Sequence, residues 1–265
     1  MLGWKLFSKA VTLITDNLGL ALKVSLVPYG IALAATILLG GAGLASMAAL
    51  DPTDPVATEA AFSGVAAGAA LLVVAIFVVA SLWVAVAWHR ATLLEEPVGW
   101  VPPFHGGPIL GYFGRSLLIG IVLAFAYLAL ALVAGLLGAL LPPLAILVLL
   151  AGTVALVVVF YRLATILPAG AVERPMGLGE AWSATSGASG AILLVAVLTV
   201  ALSLALQLPG LLVGGGLGAV GDPAAAATGG LISVIYGVVV QWILLMVGIS
   251  VLTVLYGHFV EDRPL

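Results

Sequence analysis

The sequence predicts an all-α polytopic membrane protein, a single integral membrane domain over residues 1–265. Six transmembrane helices form three hairpins, preceded by an N-terminal interfacial amphipathic helix. Three observations lead there. Hydrophobic residues make up 64% of the chain and charged residues 7%, against about 25% charge in a soluble domain. That leaves too little polar surface to cover a soluble monomer. The apolar residues fall into six continuous runs, each near the roughly 20 residues that a helix needs to cross a bilayer. Finally, all eight basic residues fall on one side of the layout that these runs define.

The runs are 23–50, 64–88, 114–141, 144–167, 190–213 and 231–258. They do not alternate, as the strands of a membrane barrel would, so they are read as helices. Asp51-Pro52-Thr53-Asp54-Pro55 is a turn, Pro142-Pro143 is the whole link between spans three and four, and a glycine-rich loop covers 214–230. No Lys follows that loop and no strand precedes it, so it is an extramembrane loop rather than a phosphate cradle.

Lys5, Lys9 and Lys23 precede span one, Arg90 and Arg115 flank the second connection, Arg162 and Arg174 the fourth, and Arg263 follows span six. The odd connections carry Asp51, Asp54, Glu59 and Asp222 and no basic residue. Basic residues concentrate in cytoplasmic loops, which puts both termini in the cytoplasm. The expected location is the bacterial cytoplasmic (inner) membrane.

Spans two, four and six end alike. Trp88-His89-Arg90 leads to Glu95-Glu96-Pro97, Tyr161-Arg162 to Glu173-Arg174-Pro175, and Tyr256-Gly257-His258 to Glu261-Asp262-Arg263-Pro264. The leads into the odd spans also correspond. Before span one, Phe7, Val11, Ile14, Leu18 and Ala21 recur at helical spacing opposite Lys5, Ser8, Lys9, Thr12 and Asp16, the pattern of a helix lying in the interface. Shorter counterparts occupy 109–115 and 180–189. The expected repeats are 1–97, 98–175 and 176–265. With two spans in each, they run parallel about an axis along the membrane normal.

The amphipathic start, Asn17 before span one, the Gly179-Glu180-Ala181-Trp182-Ser183-Ala184-Thr185-Ser186-Gly187 lead into span five and the Trp88-His89-Arg90 end of span two carry a resemblance. Together they resemble a broad group of bacterial six-helix membrane proteins. It includes the membrane domain found ahead of some glycerophosphodiester phosphodiesterases. The resemblance implies a role in the cytoplasmic membrane. It implies no catalytic residue, because no phosphodiesterase domain is present.

Chemistry is read mainly from what is missing. Cys is absent, which excludes a disulfide framework, a thiol nucleophile and a Cys-ligated metal. Eight Lys+Arg against 11 Asp+Glu excludes a basic nucleic-acid binder. No ionisable residue lies in the middle of a span, whereas proton relays and coupled transporters place them there. His89, His105 and His258 do not pair at a metal-ligand spacing, so no metal and no cofactor is expected, nor any catalytic residue. Gln207 and Gln241 are the intramembrane polar residues, read as interhelical hydrogen-bonding groups or as polar spots in a cavity. Gly64 and Gly68, Gly135 and Gly138, and Gly40, Gly41 and Gly43 are read as close-packing surfaces. Pro28, Pro168 and Pro209 are read as kinks or helix ends. Arg90, Arg115 and Arg162 meet at one membrane level and are the candidate site for an anionic lipid headgroup.

The expectation is therefore a non-enzymatic membrane protein that acts through contacts with membrane lipids or with another membrane protein. The alternative is a small-molecule or lipid transporter with a cavity between the hairpins. The topology is checked with reporter fusions. Fusions after Thr53 and within 214–218 should report periplasm, and fusions after Pro97 and Leu265 cytoplasm. A cytoplasmic signal at Thr53 would overturn the layout.

Overall fold

The computed structural model describes residues 1–48, 55–218 and 223–265. Among them the secondary structure is helical: α1 (Leu2–Thr15), α2 (Leu18–Ala48), α3 (Pro55–Leu93), α4 (Gly106–Gly138), α5 (Pro142–Leu163), α6 (Ile166–Ala171), α7 (Leu178–Ala184), α8 (Ser189–Gly218) and α9 (Pro223–Phe259). Among the described residues six segments are long and apolar enough to cross a membrane: Leu18–Gly41, Ala67–Leu93, Gly106–Gly138, Pro142–Ala171, Ser189–Leu212 and Thr228–Phe259. This is a multi-pass membrane architecture.

Several expectations about boundaries are corrected. The segment 109–115 is not a separate interfacial piece but the first part of α4. Pro142 and Pro143 are not the link between spans three and four. They open α5, where a proline's fixed φ and missing N–H cost nothing. The link is 139–141. Gly214–Gly218 continues α8 and Pro223–Gly230 begins α9, so the glycine-rich stretch is largely helical. Its centre, 219–222, and the acidic turn 51–54 lie outside the described residues. Pro28 and Pro209 sit inside α2 and α8, which continue past them, and Pro168 sits in α6.

The spans pair in chain order, α2 with α3, α4 with α5 and α8 with α9. Between pairs, α3 meets both α4 and α9, and α5 meets α8. Burial is uneven along the bundle. Val84 to Trp88, Ile109, Tyr112, Ile119, Ile192, Val195, Met246 and Val247 are packed at the end that carries the arginines. Towards the other end the buried apolar positions among the described residues include Ala32, Ala134 and Ala145. The six residues of α6 are all buried, packed against α3, α4 and α9.

Packing of α1 departs from the expected face. Its buried stripe is Gly3, Leu6, Ala10 and Ile14, held against α8 and α9 of the last hairpin far more than against α2. Phe7 and Val11 are only partly buried, and Leu18 already belongs to α2 and is exposed. The glycines expected to mark close contacts are mostly open. At Gly40, Gly41, Gly64, Gly68 and Gly135 an added Cβ would meet nothing, and only Gly138 is near a neighbour, Ala145. Close approach occurs instead at Gly3, where a Cβ would lie 2.5 Å from the Ala191 carbonyl oxygen and 2.9 Å from the Leu194 Cβ. Neither neighbour is a flexible tip that can swing away. Gly3→Ala is therefore expected to cost about 1–3 kcal/mol, the range for overpacking. It should lower the melting temperature in detergent and speed proteolysis of the N-terminal segment. An unchanged melt would show that α1 is not seated on α8.

Candidate functional site at the basic end of the bundle

His89, near the end of α3, is fully buried. Its Nδ1 lies 2.9 Å from the Thr253 hydroxyl of α9, and its Nε2 lies 3.4 Å from the Tyr112 hydroxyl of α4. The Thr253 hydroxyl donates to the Ile249 carbonyl at 2.8 Å, so its proton is committed and it accepts from His89. That fixes the Nδ1–H tautomer, with Nε2 accepting from Tyr112. The Tyr112 ring stacks on the imidazole at 5.7 Å. One side chain thus joins the three hairpins.

Arg162, at the end of α5, repeats the arrangement. Its Nε donates to the Thr185 hydroxyl at 2.9 Å and its Nη2 to the Trp182 carbonyl at 2.7 Å. The guanidinium lies 3.5 Å from the centre of the Trp182 ring, a cation–π contact. Thr185, like Thr253, donates to its own helix, to the Ala181 carbonyl at 2.8 Å. His89 with Tyr112 and Arg162 with Thr185 are both separated by 23 residues.

The chain turns just beyond α3, α6 and α9 also correspond. Among the described residues the non-glycine positions with positive φ are Glu95 (55°), Glu173 (60°) and Asp262 (52°). Each stands two residues before a proline: Pro97, Pro175 and Pro264. A left-handed residue lets the next N–H turn back onto an open carbonyl at the helix end. Glu96 N–H reaches the Arg90 carbonyl at 3.5 Å, Arg174 the Ala169 carbonyl at 2.9 Å and Arg263 the Gly257 carbonyl at 2.8 Å. The proline then prevents the helix from continuing.

Arginines link these turns in a closed circuit. Arg90 Nε donates to Glu96 at 2.7 Å, and its Nη1 donates to Glu173 at 2.8 Å and to the Ala171 carbonyl at 3.1 Å. Arg174 pairs with Glu261 at 3.2 Å. Arg263 donates to Glu261 at 2.6 Å and returns to the Leu93 carbonyl of α3 at 2.6 Å. The circuit runs from the first hairpin to the second, the third and back. Its members differ in strength. Arg174 is 66% exposed, so that pair is screened and weak. Arg90 is 13% exposed, and Arg90 and Arg263 each satisfy a carbonyl at a helix C-terminus, where positive charge is favoured.

Of the three candidate arginines, Arg90 and Arg162 are engaged as described. Arg115 is partly buried and its guanidinium lies against Gly170 of α6, next to the Ala171 bound by Arg90. The structure therefore brings Arg90 and Arg115 to adjacent residues of one short helix, and Arg162 stands four residues before that helix begins. Among the described residues Arg115 has no hydrogen-bonded or ion-paired partner. Gln207 and Gln241 are both exposed on the bundle surface. Gln207 bonds within its own helix, to the Ser203 hydroxyl at 2.7 Å, so the expected interhelical bond is not formed there. His258 Nδ1–H donates to the Arg263 carbonyl at 3.2 Å. His105 pairs with Glu96 at 3.0 Å. Among the described residues no three His, Asp or Glu are grouped to hold a metal ion.

Sequence reasoning missed Tyr112, Thr185 and the cross-helix role of Thr253. The repeated spacing from the aromatic–basic pair at a span end to a hydroxyl in the next segment is the signal that could have found the first two.

Among the described residues two apolar clefts open to the side of the bundle. One, of roughly 480 Å³, lies along α3 between Val73 and Ala85 and ends at Tyr112. The other, of roughly 300 Å³, lies between α2 and α3 near Trp83 and Phe104. Neither includes Gln207 or Gln241.

No protein-family model, curated protein or solved structure matches the chain. Function is therefore read from the geometry.

Burial raises the carboxyl of Glu96, but its bonds to Arg90 and its contact with His105 outweigh this and hold it below the usual carboxylate range. A carboxyl depressed in the folded state stabilises the fold above its unfolded value, and this is lost as pH falls through the folded value. Wild type should lose stability below about pH 4.5 more steeply than Glu96→Gln, which lacks the titrating group. Parallel melting curves for the two proteins from pH 7 to pH 3 would contradict the pairing.

Proposed function

We propose that this is a non-enzymatic protein of the bacterial cytoplasmic membrane, with both termini in the cytoplasm, that acts by contact with membrane lipid or with another membrane protein. Three hairpin units, 1–97, 98–175 and 176–265, related by repetition, would form its single domain. The matched turns at Glu95, Glu173 and Asp262 support the repetition.

The observation that carries the reading is the apolar packing of the basic half of the bundle. Val84, Ala85, Val195, Ala196, Met246 and Val247 are buried there, while both intramembrane amides face outward. A permease would need a polar path between the hairpins, with such groups lining it. The polar groups at depth near the basic end, His89, Tyr112 and Thr253, are bonded to one another, and among the described residues no three His, Asp or Glu are grouped beside them.

The chain has no native Cys, which makes accessibility a clean test. Single Cys replacements at Val195 and Val247 should resist a membrane-impermeant maleimide in right-side-out and inverted vesicles, while Cys at Gly99 should label in inverted vesicles only. Labelling at Val247 from either side would reveal a water-filled path and favour the permease.

A further inference from the structure

The geometry points to Arg115 as the ligand-binding arginine of the basic end, taking a phosphate group, with Arg90 and Arg162 acting as internal clasps. This deepens the lipid-contact reading and rests on it.

Side-chain commitments separate the three. Arg90 spends its donors on Glu96, Glu173 and the Ala171 carbonyl. Arg162 is held by Thr185, the Trp182 carbonyl and the Trp182 ring. Arg115 retains its donors, with no acceptor among the described residues.

Its position is nonetheless built. The guanidinium occupies the space where Gly170 lacks a side chain, and a Cβ there would overlap it. Gly111, one turn back on α4, leaves room on the other side, since a Cβ there would lie 2.9 Å from Arg115 Nη1. The side chain thus runs back along α4 towards the helix start at Gly106, as basic side chains do when they reach for the headgroup level. A helix of 33 residues is about 50 Å long, well beyond the ~30 Å hydrocarbon core, so its first turns stand at that level. Leu118, one turn on along the same side of α4, is 44% exposed, an apolar neighbour suited to an acyl chain. A forked, uncommitted guanidinium with a lipid-facing neighbour suits a phosphate oxygen pair.

The ligand chemistry is a phosphate with a net negative charge, from a lipid headgroup or from solution. Detergent-solubilised full-length protein is mixed with phosphatidylglycerol or phosphatidylcholine, and retained lipid is counted by native mass spectrometry. Wild type should prefer phosphatidylglycerol, and Arg115→Gln should reduce that preference about fivefold, the factor for one basic residue at an anionic surface. Arg174→Gln, an exposed arginine at the same end, should leave it unchanged. Displacement of phosphatidylglycerol by millimolar inorganic phosphate would assign the same site to a soluble anion; retention would assign it to lipid. If Arg115→Gln does not fold, Arg115→Lys decides, because a lysine cannot fork: a weaker preference supports the site. Equal preference in wild type and the folded Arg115 variant overturns it. The maleimide experiment reads only the bundle interior, so failure here leaves that result standing, and the reverse.

Discussion

The bundle depends on one buried imidazole. His89 holds Thr253 of α9 and Tyr112 of α4 from its place on α3, so a single ring ties the three hairpins. Apolar surface gives helices little reason to associate in lipid, because the tails are as apolar as the side chains. Directional bonds and tight packing must do it instead. Buried apolar residues gather at the level of His89, among them Val84, Trp88, Val195, Met246 and Val247.

The arginine circuit adds a second tier below that level. Each hairpin ends in a left-handed acidic residue and, two residues on, a proline, and the next hairpin's turn is reached by an arginine. Helix C-termini in a membrane need partners for their last carbonyls. The residues that the charge pattern marks as orientation signals supply them. Arg90 and Arg115 meet at α6, which is wholly buried and packs against α3, α4 and α9.

Much of this architecture was legible in the sequence. Hydropathy locates six spans because a membrane helix must be apolar over its whole crossing, whatever it packs against. The meeting of Arg90 and Arg115 at α6 was legible in part, because both flank the connection between spans two and three. Which arginine is free was not, since Glu96, Glu173 and Thr185 become partners only through turns and tertiary contacts. The glycines misled, because glycine is common in membrane helices whether or not another helix lies near. Gly170, the one that seats Arg115, carries no pattern to distinguish it from Gly64 or Gly68. Nor does helical spacing tell which neighbour a face will meet: the stripe of α1 turned out to be Leu6, Ala10 and Ile14, against the last hairpin rather than the first.

The coupling between His89 and Thr253 is the bond on which the joining of the hairpins most directly depends. A double-mutant cycle with His89→Ala, Thr253→Val and the combined variant, read as unfolding free energy in detergent, isolates that bond. An interaction energy of about 0.5–2 kcal/mol, the scale of a hydrogen bond between membrane helices, is the predicted result. Strictly additive losses would contradict the central role of His89 and leave the hairpins held by packing alone.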